Sequence, residues 1–359
     1  MISNFSSRIG LSVFGESHSE YIGCVLSGIP AGEKIDFEKI LTQMARRAPG
    51  NDKTATPRKE KDFPHIISGI ENGITTGEPI EMRIYNTNTR SADYQGINVT
   101  PRPSHADYPA TVKYGDDFDY RGGGHFSGRL TAPMVFAGAV ARQILERRSV
   151  IIGAHIASIG LESDEAFDKE NLNRETLKRL STEKFALINP ECESALRSEV
   201  EKARMALDSV GGTIECAVLG VEAGTGEPMF ASLESKISSL IFAVPAVKGI
   251  EFGLGFKLAQ MNASSANDPY RIKDGRVVTE SNNNGGILGG LATGMPIVFR
   301  TAIKPTPSIA KEQDTVNLDT MTNDKITIRG RHDPCIVPRA VPVIESVTAL
   351  AILDAYLEK

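Results

Sequence analysis

One segment, residues 131–148, is apolar on almost every helical face, and this constrains the fold more than any other feature of the chain. Alanine, valine and phenylalanine dominate it, and Pro133 stands near its start. A proline in the first turn of a helix costs no hydrogen bond, so the pattern predicts a helix from Thr131 to Arg148. Because a helix without a polar face must be covered on all sides, we expect it to be buried. Its longest apolar run, 132–141, is too short to span a bilayer.

Strand and helix patterns follow one another irregularly along the rest of the chain. We predict strands at 11–14, 23–26, 80–84 and 214–218, and helices from the Asp36 cap to near Pro49, from Glu191 to Val210 and from Val343 to Leu357. Without sustained β-α-β alternation, the order favours an α+β fold with antiparallel sheets over a doubly wound parallel sheet. Since no low-complexity linker divides the chain, we expect a single domain over 1–359.

Composition and charge exclude several classes of protein. The chain is 40% hydrophobic and 24% charged, as globular proteins are, and its net charge of −5 gives no reason to expect nucleic acid or membrane as a partner. The polar first ten residues hold no secretory signal, so we expect the cytoplasm. Neither the histidines nor the cysteines have metal-site spacing, so we expect no metal and four buried thiols, at Cys24, Cys192, Cys216 and Cys335.

Arginines beside glycine and proline are the most informative polar feature. Such positions are typical of loops held by a scaffold, where binding sites are usually built. Guanidinium groups match the geometry of carboxylates and phosphates, so converging arginine loops indicate a multiply anionic ligand. These arginines are Arg46, Arg47, Arg102, Arg121, Arg129, Arg329, Arg331 and Arg339.

A glycine-rich loop, 121–129, leads into the apolar helix. Glycines let the backbone approach a phosphate or a planar ring closely, and a helix N-terminus offers free N–H donors. The loop matches neither the dinucleotide-binding nor the P-loop pattern. Three histidines, His18, His105 and His332, lie among glycine, serine, proline and aspartate and are candidates for proton transfer near neutral pH.

Two other functions are open from the residues alone. Residues 15–19, Gly-Glu-Ser-His-Ser, resemble the nucleophile elbow of a serine hydrolase at Ser17, although Ser19 replaces the last glycine. An elbow needs a strand-to-helix turn, whereas residues 22–26 have a strand pattern. The other alternative is a non-catalytic module that binds phosphorylated anions through the same arginines.

Many ordered segments together carry a family resemblance. They are 15–18, 28–32, 46–47, 49–50, 68–69, 75–77, 90–91, 93–94, 102–107, 113–115, 121–131, 246–249, 284–290, 304–306 and 331–345. Over nearly the whole chain they resemble the chorismate synthase family. The resemblance implies a β-α-β sandwich with long central helices between antiparallel sheets, and a homotetramer. It also implies an anti-1,4-elimination of phosphate from 5-enolpyruvylshikimate 3-phosphate, which uses reduced FMN without net redox change.

The resemblance assigns roles to individual residues. It implies His18 as the acid beside the leaving phosphate, His105 as the histidine that serves the reduced flavin, and Asp333 as the carboxylate that helps the flavin accept the substrate proton. Polar support comes from Ser17 and Ser127. The substrate-binding residues are Arg47, Lys53, Arg129 and Arg339. The flavin contacts are His125, Phe126, Ser127, Pro245, Ala246, Gly289, Lys304, Pro305, Thr306, Pro307, Ser308 and Arg331.

The chain departs from the family pattern at His125 and Phe126, where arginine and serine are usual, and at Lys53, where arginine is usual. Because phenylalanine cannot donate a hydrogen bond, the flavin and phosphate contacts at this position should differ from those of the family. We expect the chain to keep its activity, with altered affinities for these ligands. The family leaves two sources of reduced flavin open, NADPH used by the enzyme itself or an external reductant. The chain has no visible reductase domain, which favours the external source.

Overall fold

The structure is a computed structural model, and it describes residues 1–49, 62–86, 97–169, 172–328 and 333–358. Its helices are α1 (Phe37–Arg47), α2 (Asp107–Tyr114), α3 (Thr131–Arg147), α4 (Arg174–Leu180), α5 (Glu193–Met205), α6 (Leu233–Phe242), α7 (Ala263–Ala266) and α8 (Val337–Leu357). As the sequence predicts, Asp36 caps α1: its side chain accepts a hydrogen bond from the backbone N–H of Glu38.

Within the described residues, strands form two five-stranded antiparallel sheets and four short hairpins. In spatial order, the first sheet contains β1 (Ile2–Ser6), β2 (Gly10–Gly15), β3 (Tyr21–Ser27), β7 (Ile80–Tyr85) and β4 (His65–Ile66), and the second contains β11 (Val247–Phe252), β16 (Ile297–Ile303), β10 (Gly212–Leu219), β8 (Ile151–Ile159) and β9 (Glu162–Ser163). The hairpins are β5 (Ile70–Glu71) with β6 (Ile74–Thr75), β12 (Tyr270–Lys273) with β13 (Arg276–Thr279), β14 (Ile287–Leu288) with β15 (Leu291–Ala292), and β17 (Gln313–Asn317) with β18 (Thr322–Ile326).

The helices α3 and α8 form the centre of the molecule. The first sheet packs against α3, the second against α8, and the two helices pack on each other. A side chain at Gly138 could not fit there, because its Cβ would lie 2.2 Å from the Cβ of Ser346. The α+β prediction, with long helices between antiparallel sheets, is confirmed. Although α8 is long and apolar enough to cross a membrane, 89% of its most apolar window is buried inside the protein, as in a core helix.

Some predicted boundaries and burials are wrong. The helix α5 ends at Met205, not Val210, because Leu207 adopts a left-handed backbone (φ 57°) and is 58% exposed. The helix α8 begins at Val337, six residues before the predicted start, and contains Pro342. Cys192 is partly exposed, whereas the other cysteines are buried as expected.

A buried carboxylate, Glu345 of α8, joins the central helices. It accepts hydrogen bonds from Arg46 at 2.5 Å and from Arg142 at 2.7 Å, and its side chain has no solvent exposure. It also accepts a hydrogen bond from the backbone N–H of Ala154 at 2.9 Å. Arg46 is therefore a core residue, which corrects its prediction as a ligand-binding loop arginine.

Candidate functional site

A cavity of about 680 Å³ lies beside the N-terminus of α3. The glycine-rich loop, the segment 102–106 and the segments 242–248 and 304–308 meet around it. The structure brings most of the predicted site residues to its wall, namely Arg47, His105, His125, Phe126, Ser127, Arg129, Pro245, Ala246, Lys304, Thr306, Pro307, Ser308, Asp333 and Arg339.

Other predicted site residues lie elsewhere. Gly289, in the turn between β14 and β15, and the exposed Pro305 do not line the cavity. Lys53 and Arg331 lie outside the described residues, as do His332 and Arg329. Arg121 pairs with Asp119 at 2.8 Å, half exposed, and is not part of the cavity wall.

The glycine loop approaches two of the three candidate histidines, His18 and His105, closely. The φ angles of its three consecutive glycines, 61°, 84° and 54°, suit glycine and few other residues. A Cβ at Gly122 would lie 2.6 Å from the ring of His18 and 2.5 Å from Oγ of Ser17, and one at Gly123 would lie 3.2 Å from the ring of His105. Ser17 and His18 therefore lie directly behind Gly122, which itself lines the cavity.

Two of the cavity arginines share one buried carboxylate. Asp62 accepts a hydrogen bond from Arg47 at 2.7 Å and another from Arg129. Burial raises the pKa of the Asp62 carboxyl, but Arg47 and Arg129 outweigh burial, so its pKa lies below the usual range. Burial is the main reason that the pKa of Arg47 falls to about 10; Asp62 opposes this effect, whereas Arg339 and Arg129 add to it. At neutral pH Asp62 and Arg47 are therefore both charged.

Arg339 joins the other end of this arginine cluster. Its guanidinium donates to the carboxylate of Asp333, and its Nε donates to the backbone oxygen of Arg47 at 3.0 Å. Because Arg339 and Asp333 both line the cavity, a cation and a carboxylate lie next to each other there.

A second ionic network fixes His105. Its Nδ1 lies 2.6 Å from Oδ1 of Asp107, and Arg102 donates two hydrogen bonds of 2.7 Å to the same carboxylate. Burial raises the pKa of Asp107, but the hydrogen bonds from Arg102 and His105 outweigh it and leave that pKa far below its usual value. An ionised Asp107 can only accept, so Nδ1 of His105 carries a proton.

The protonation state of His105 follows from its surroundings. Burial lowers the pKa of His105, the hydrogen bond to Asp107 opposes this, and the charges of Arg102 and Lys304 lower it further, to a net value below the usual one. At neutral pH the ring is neutral, with Nδ1 protonated, so Nε2 is the atom that can take up a proton.

Two of the residues that depart from the family pattern, His125 and Phe126, have defined partners. His125 donates from Nδ1 to the backbone oxygen of Gly15 at 2.8 Å, and its Nε2 lies 2.8 Å from Oγ of Ser3. The ring of Phe126 packs edge-on against Phe118, with centroids 5.9 Å apart, and also lines the cavity. Phe126 thus adds an apolar surface to the cavity wall.

Two carboxylates that contact the candidate site residues, Asp62 and Asp107, were not predicted as site residues from the sequence. Asp62 belongs to no motif and meets Arg129 from 67 positions away, so no local signal could have found it. Asp107 was visible only as part of a family segment. Its spacing from His105, with one residue between them at the start of α2, could have indicated an orienting carboxylate.

Comparisons with known proteins show the family of this chain. A family model described as chorismate synthase matches residues 9–357. The chain belongs to the chorismate synthase family. Among relatives named chorismate synthase, that of Thermococcus gammatolerans is 45% identical over 356 residues, covering 98% of this chain and 96% of the relative. That of Pyrococcus abyssi is 46% identical over 349 residues, covering 97% and 96%.

Another relative and a solved structure agree with this assignment. The chorismate synthase of Lancefieldella parvula is 42% identical over 365 residues, covering 99% of this chain and 96% of the relative. A chorismate synthase crystal structure superposes with a TM-score of 0.76 at 28% identity, over 97% of this chain and 91% of the other. The fold expected for a chorismate synthase is thus the fold observed.

Proposed function

We propose that this chain catalyses the chorismate synthase reaction, the elimination of phosphate from 5-enolpyruvylshikimate 3-phosphate to give chorismate. In this reaction one C–O bond to phosphate and one C–H bond on the same ring break. The electron pair of the C–H bond remains in the ring as part of the new diene, and that of the C–O bond leaves with phosphate. The observation that carries the proposal is the single cavity that combines Arg47, Arg129 and Arg339 with His105 and Asp333.

The arginine cluster suits this substrate by charge. The substrate carries two carboxylates and a phosphate worth about −1.5 to −2 charges at neutral pH. Arg47, Arg129 and Arg339 would bind these groups through charge-assisted hydrogen bonds, which are about twice as strong as neutral ones. In this way the cations hold the ring in one orientation.

The groups that would handle protons lie beside the glycine loop. His18, behind Gly122, would donate a proton towards the leaving phosphate, with Ser17 beside it and Ser127 on the cavity wall. His105, next to Gly123, would take up a proton at Nε2 near the flavin. Asp333 would help to take up the proton lost from the ring.

We infer that one part of the cavity wall would hold a flavin. This part presents Phe126 and the segment 244–247, and the backbone oxygen of Ala246 accepts a hydrogen bond from the N–H of Lys304 at 2.9 Å. Thr306 also lines the cavity, and its hydroxyl is buried without a hydrogen-bond partner among the described residues. Because buried polar groups are normally hydrogen-bonded, this hydroxyl is suited to bind a polar group of a ligand. When bound, reduced FMN would supply electron density to the reacting ring without net redox change. Lys304, Thr306 and Ser308 would hold its polar edge.

We also infer the source of the reduced flavin, the cellular location and the oligomeric state. Reduced flavin would come from an external reductant and not from NADPH acting at this chain, and the enzyme would work in the cytoplasm as a homotetramer. Large apolar side chains on the surface support self-association, with Phe230 97% exposed, Phe256 82% and Met229 79%.

The test is an anaerobic assay of the purified chain with 5-enolpyruvylshikimate 3-phosphate and chemically reduced FMN, following chorismate and phosphate together. Equal amounts of both products, formed only with reduced FMN, would support the proposal. Binding without phosphate release would instead favour the non-catalytic anion-binding module. The serine-hydrolase alternative is excluded by geometry, because Ser17 lies between the antiparallel strands β2 and β3 and not in a strand-to-helix turn.

A further inference from the structure

Asp62 lies behind two of the cavity arginines and contacts both. Its Oδ2 accepts from Nη1 of Arg47 at 2.7 Å, and its Oδ1 accepts from Nη1 of Arg129. The side chain of Asp62 is 1% exposed, and those of Arg47 and Arg129 are 4% and 6% exposed. Both arginines line the cavity whereas Asp62 does not, so the carboxylate supports the arginines from the protein side.

Each of the two arginines also donates hydrogen bonds to other residues. Arg47 donates from Nε to Oγ1 of Thr131 at 3.0 Å and from Nη2 to the backbone oxygen of Gly128 at 2.8 Å. Arg129 donates from Nε to the side-chain oxygen of Asn86 at 3.1 Å. Among the hydrogen bonds of the described residues, those of Asp62 are the ones that join both guanidinium groups, one through each of its oxygens. The separation of the two cations therefore depends on this carboxylate.

Two buried guanidinium groups repel each other unless an anion lies between them. A rigid ring with several anionic groups is recognised only if the cations stand at matching positions, because a displaced cation loses the directed hydrogen bond. The spacing of Arg47 and Arg129 is thus part of the recognition, in addition to their charge.

We propose that Asp62 is a positioning residue for substrate recognition, which sets the spacing and orientation of Arg47 and Arg129 without touching the substrate. This rests on the proposed function, in which these arginines bind the anionic groups of 5-enolpyruvylshikimate 3-phosphate. The informative change is Asp62→Asn. Asparagine keeps the shape but has one acceptor oxygen, and its NH₂ group would face a guanidinium that can only donate. One arginine then loses its hydrogen bond to residue 62.

The core supplies a matched control. Glu345 joins Arg46 and Arg142 as Asp62 joins Arg47 and Arg129, with no exposed side-chain surface, but Arg46 and Arg142 do not line the cavity. Glu345→Gln therefore removes a buried carboxylate between two buried arginines at a place where substrate binding should not depend on it.

The experiment measures binding by titration calorimetry to enzyme loaded with oxidised FMN, which does not turn over. We expect Asp62→Asn to bind 5-enolpyruvylshikimate 3-phosphate about ten- to a hundredfold more weakly than the unchanged chain, as the loss of a charge-assisted contact implies. Inorganic phosphate has no second group to place, so its affinity should change by less than about threefold. Glu345→Gln should leave both affinities within about twofold.

Several outcomes would overturn the proposal. These are unchanged substrate affinity in Asp62→Asn, an equal loss in Glu345→Gln, or tighter binding of both ligands by Asp62→Asn, which would make Asp62 a simple counter-charge. If Asp62→Asn does not fold, Asp62→Glu keeps the charge but moves it by one methylene, and it should also weaken substrate binding; unchanged affinity there contradicts the proposal. The variant Arg129→Ala tests the proposed function separately from the role of Asp62. Unchanged substrate affinity in Arg129→Ala would refute the proposed function itself.

Discussion

The close approach of the glycine loop to Ser17 and His18 gives a sharp prediction for Gly122→Ala. The backbone at Gly122 is left-handed, with φ 61° and ψ 13°. An added Cβ would lie 2.5 Å from Oγ of Ser17 and 2.6 Å from the ring of His18, whereas ordinary contact begins at 3.4 Å. The new methyl group must therefore displace the two side chains or move the loop.

The cost has two parts. The left-handed backbone costs an alanine about 1–2 kcal/mol of unfolding free energy. Overpacking adds about 1–3 kcal/mol. Gly275→Ala separates them, because Gly275 also has a positive φ, of 73°, but its added Cβ would meet no atom within 4 Å. We expect Gly275→Ala to lose about 1–2 kcal/mol and Gly122→Ala about 2–5 kcal/mol in urea unfolding.

The effect on catalysis distinguishes the two variants further. Displacing a reacting group by about 1 Å can cost about a hundredfold in rate, so kcat of Gly122→Ala in the anaerobic phosphate-release assay should fall by about that factor. Gly275→Ala, in the turn between β12 and β13, should keep normal turnover. If folded Gly122→Ala retained kcat within about twofold, the assignment of Ser17 and His18 to the reaction would be refuted.

Three further variants test separate parts of the account. Arg129→Ala should weaken substrate binding by about 2–3 kcal/mol, the cost of a lost charge-assisted contact, and normal affinity in calorimetry would refute its role. His105→Ala should lower kcat more than it weakens substrate affinity, and unchanged steady-state turnover would count against its role. His155 lies between Asp164 and Glu215, at 2.9 and 3.2 Å. Burial lowers the pKa of His155, but these carboxylates outweigh burial and raise it, so its stabilisation is present below the unfolded pKa of about 6.5 and is lost as pH rises through the folded value. Urea unfolding from pH 5.5 to 9 should therefore show a larger loss of stability in the unchanged chain than in His155→Gln, and equal losses would contradict this.

The sequence predicts the centre of the fold well, because α3 has no polar face and could only lie inside. The predicted start of α8, at Val343, is wrong: the helix begins at Val337 and continues through Pro342, and it packs against α3. Local patterns fail where tertiary packing outweighs them.

The candidate site was only partly predictable. Arg46 and Arg47 are neighbours in sequence, yet Arg46 pairs with Glu345 in the core and Arg47 lines the cavity. Successive residues of a helix point in directions about 100° apart, so only the packing of α1 against α3 and α8 decides which arginine reaches the ligand. The same argument applies to Asp62, because its proposed role depends on its contacts with Arg47 and Arg129, which the sequence does not indicate.

The central claim is that one cavity holds the flavin and the substrate together, with the cations on the substrate. The most direct measurement is a crystal structure of the protein with oxidised FMN and 5-enolpyruvylshikimate 3-phosphate. We predict contacts from Arg47, Arg129 and Arg339 to the carboxylates and phosphate, with the flavin ring against the wall formed by Phe126 and residues 244–247. Ligands in separate pockets, or these arginines directed away from the substrate, would contradict the account.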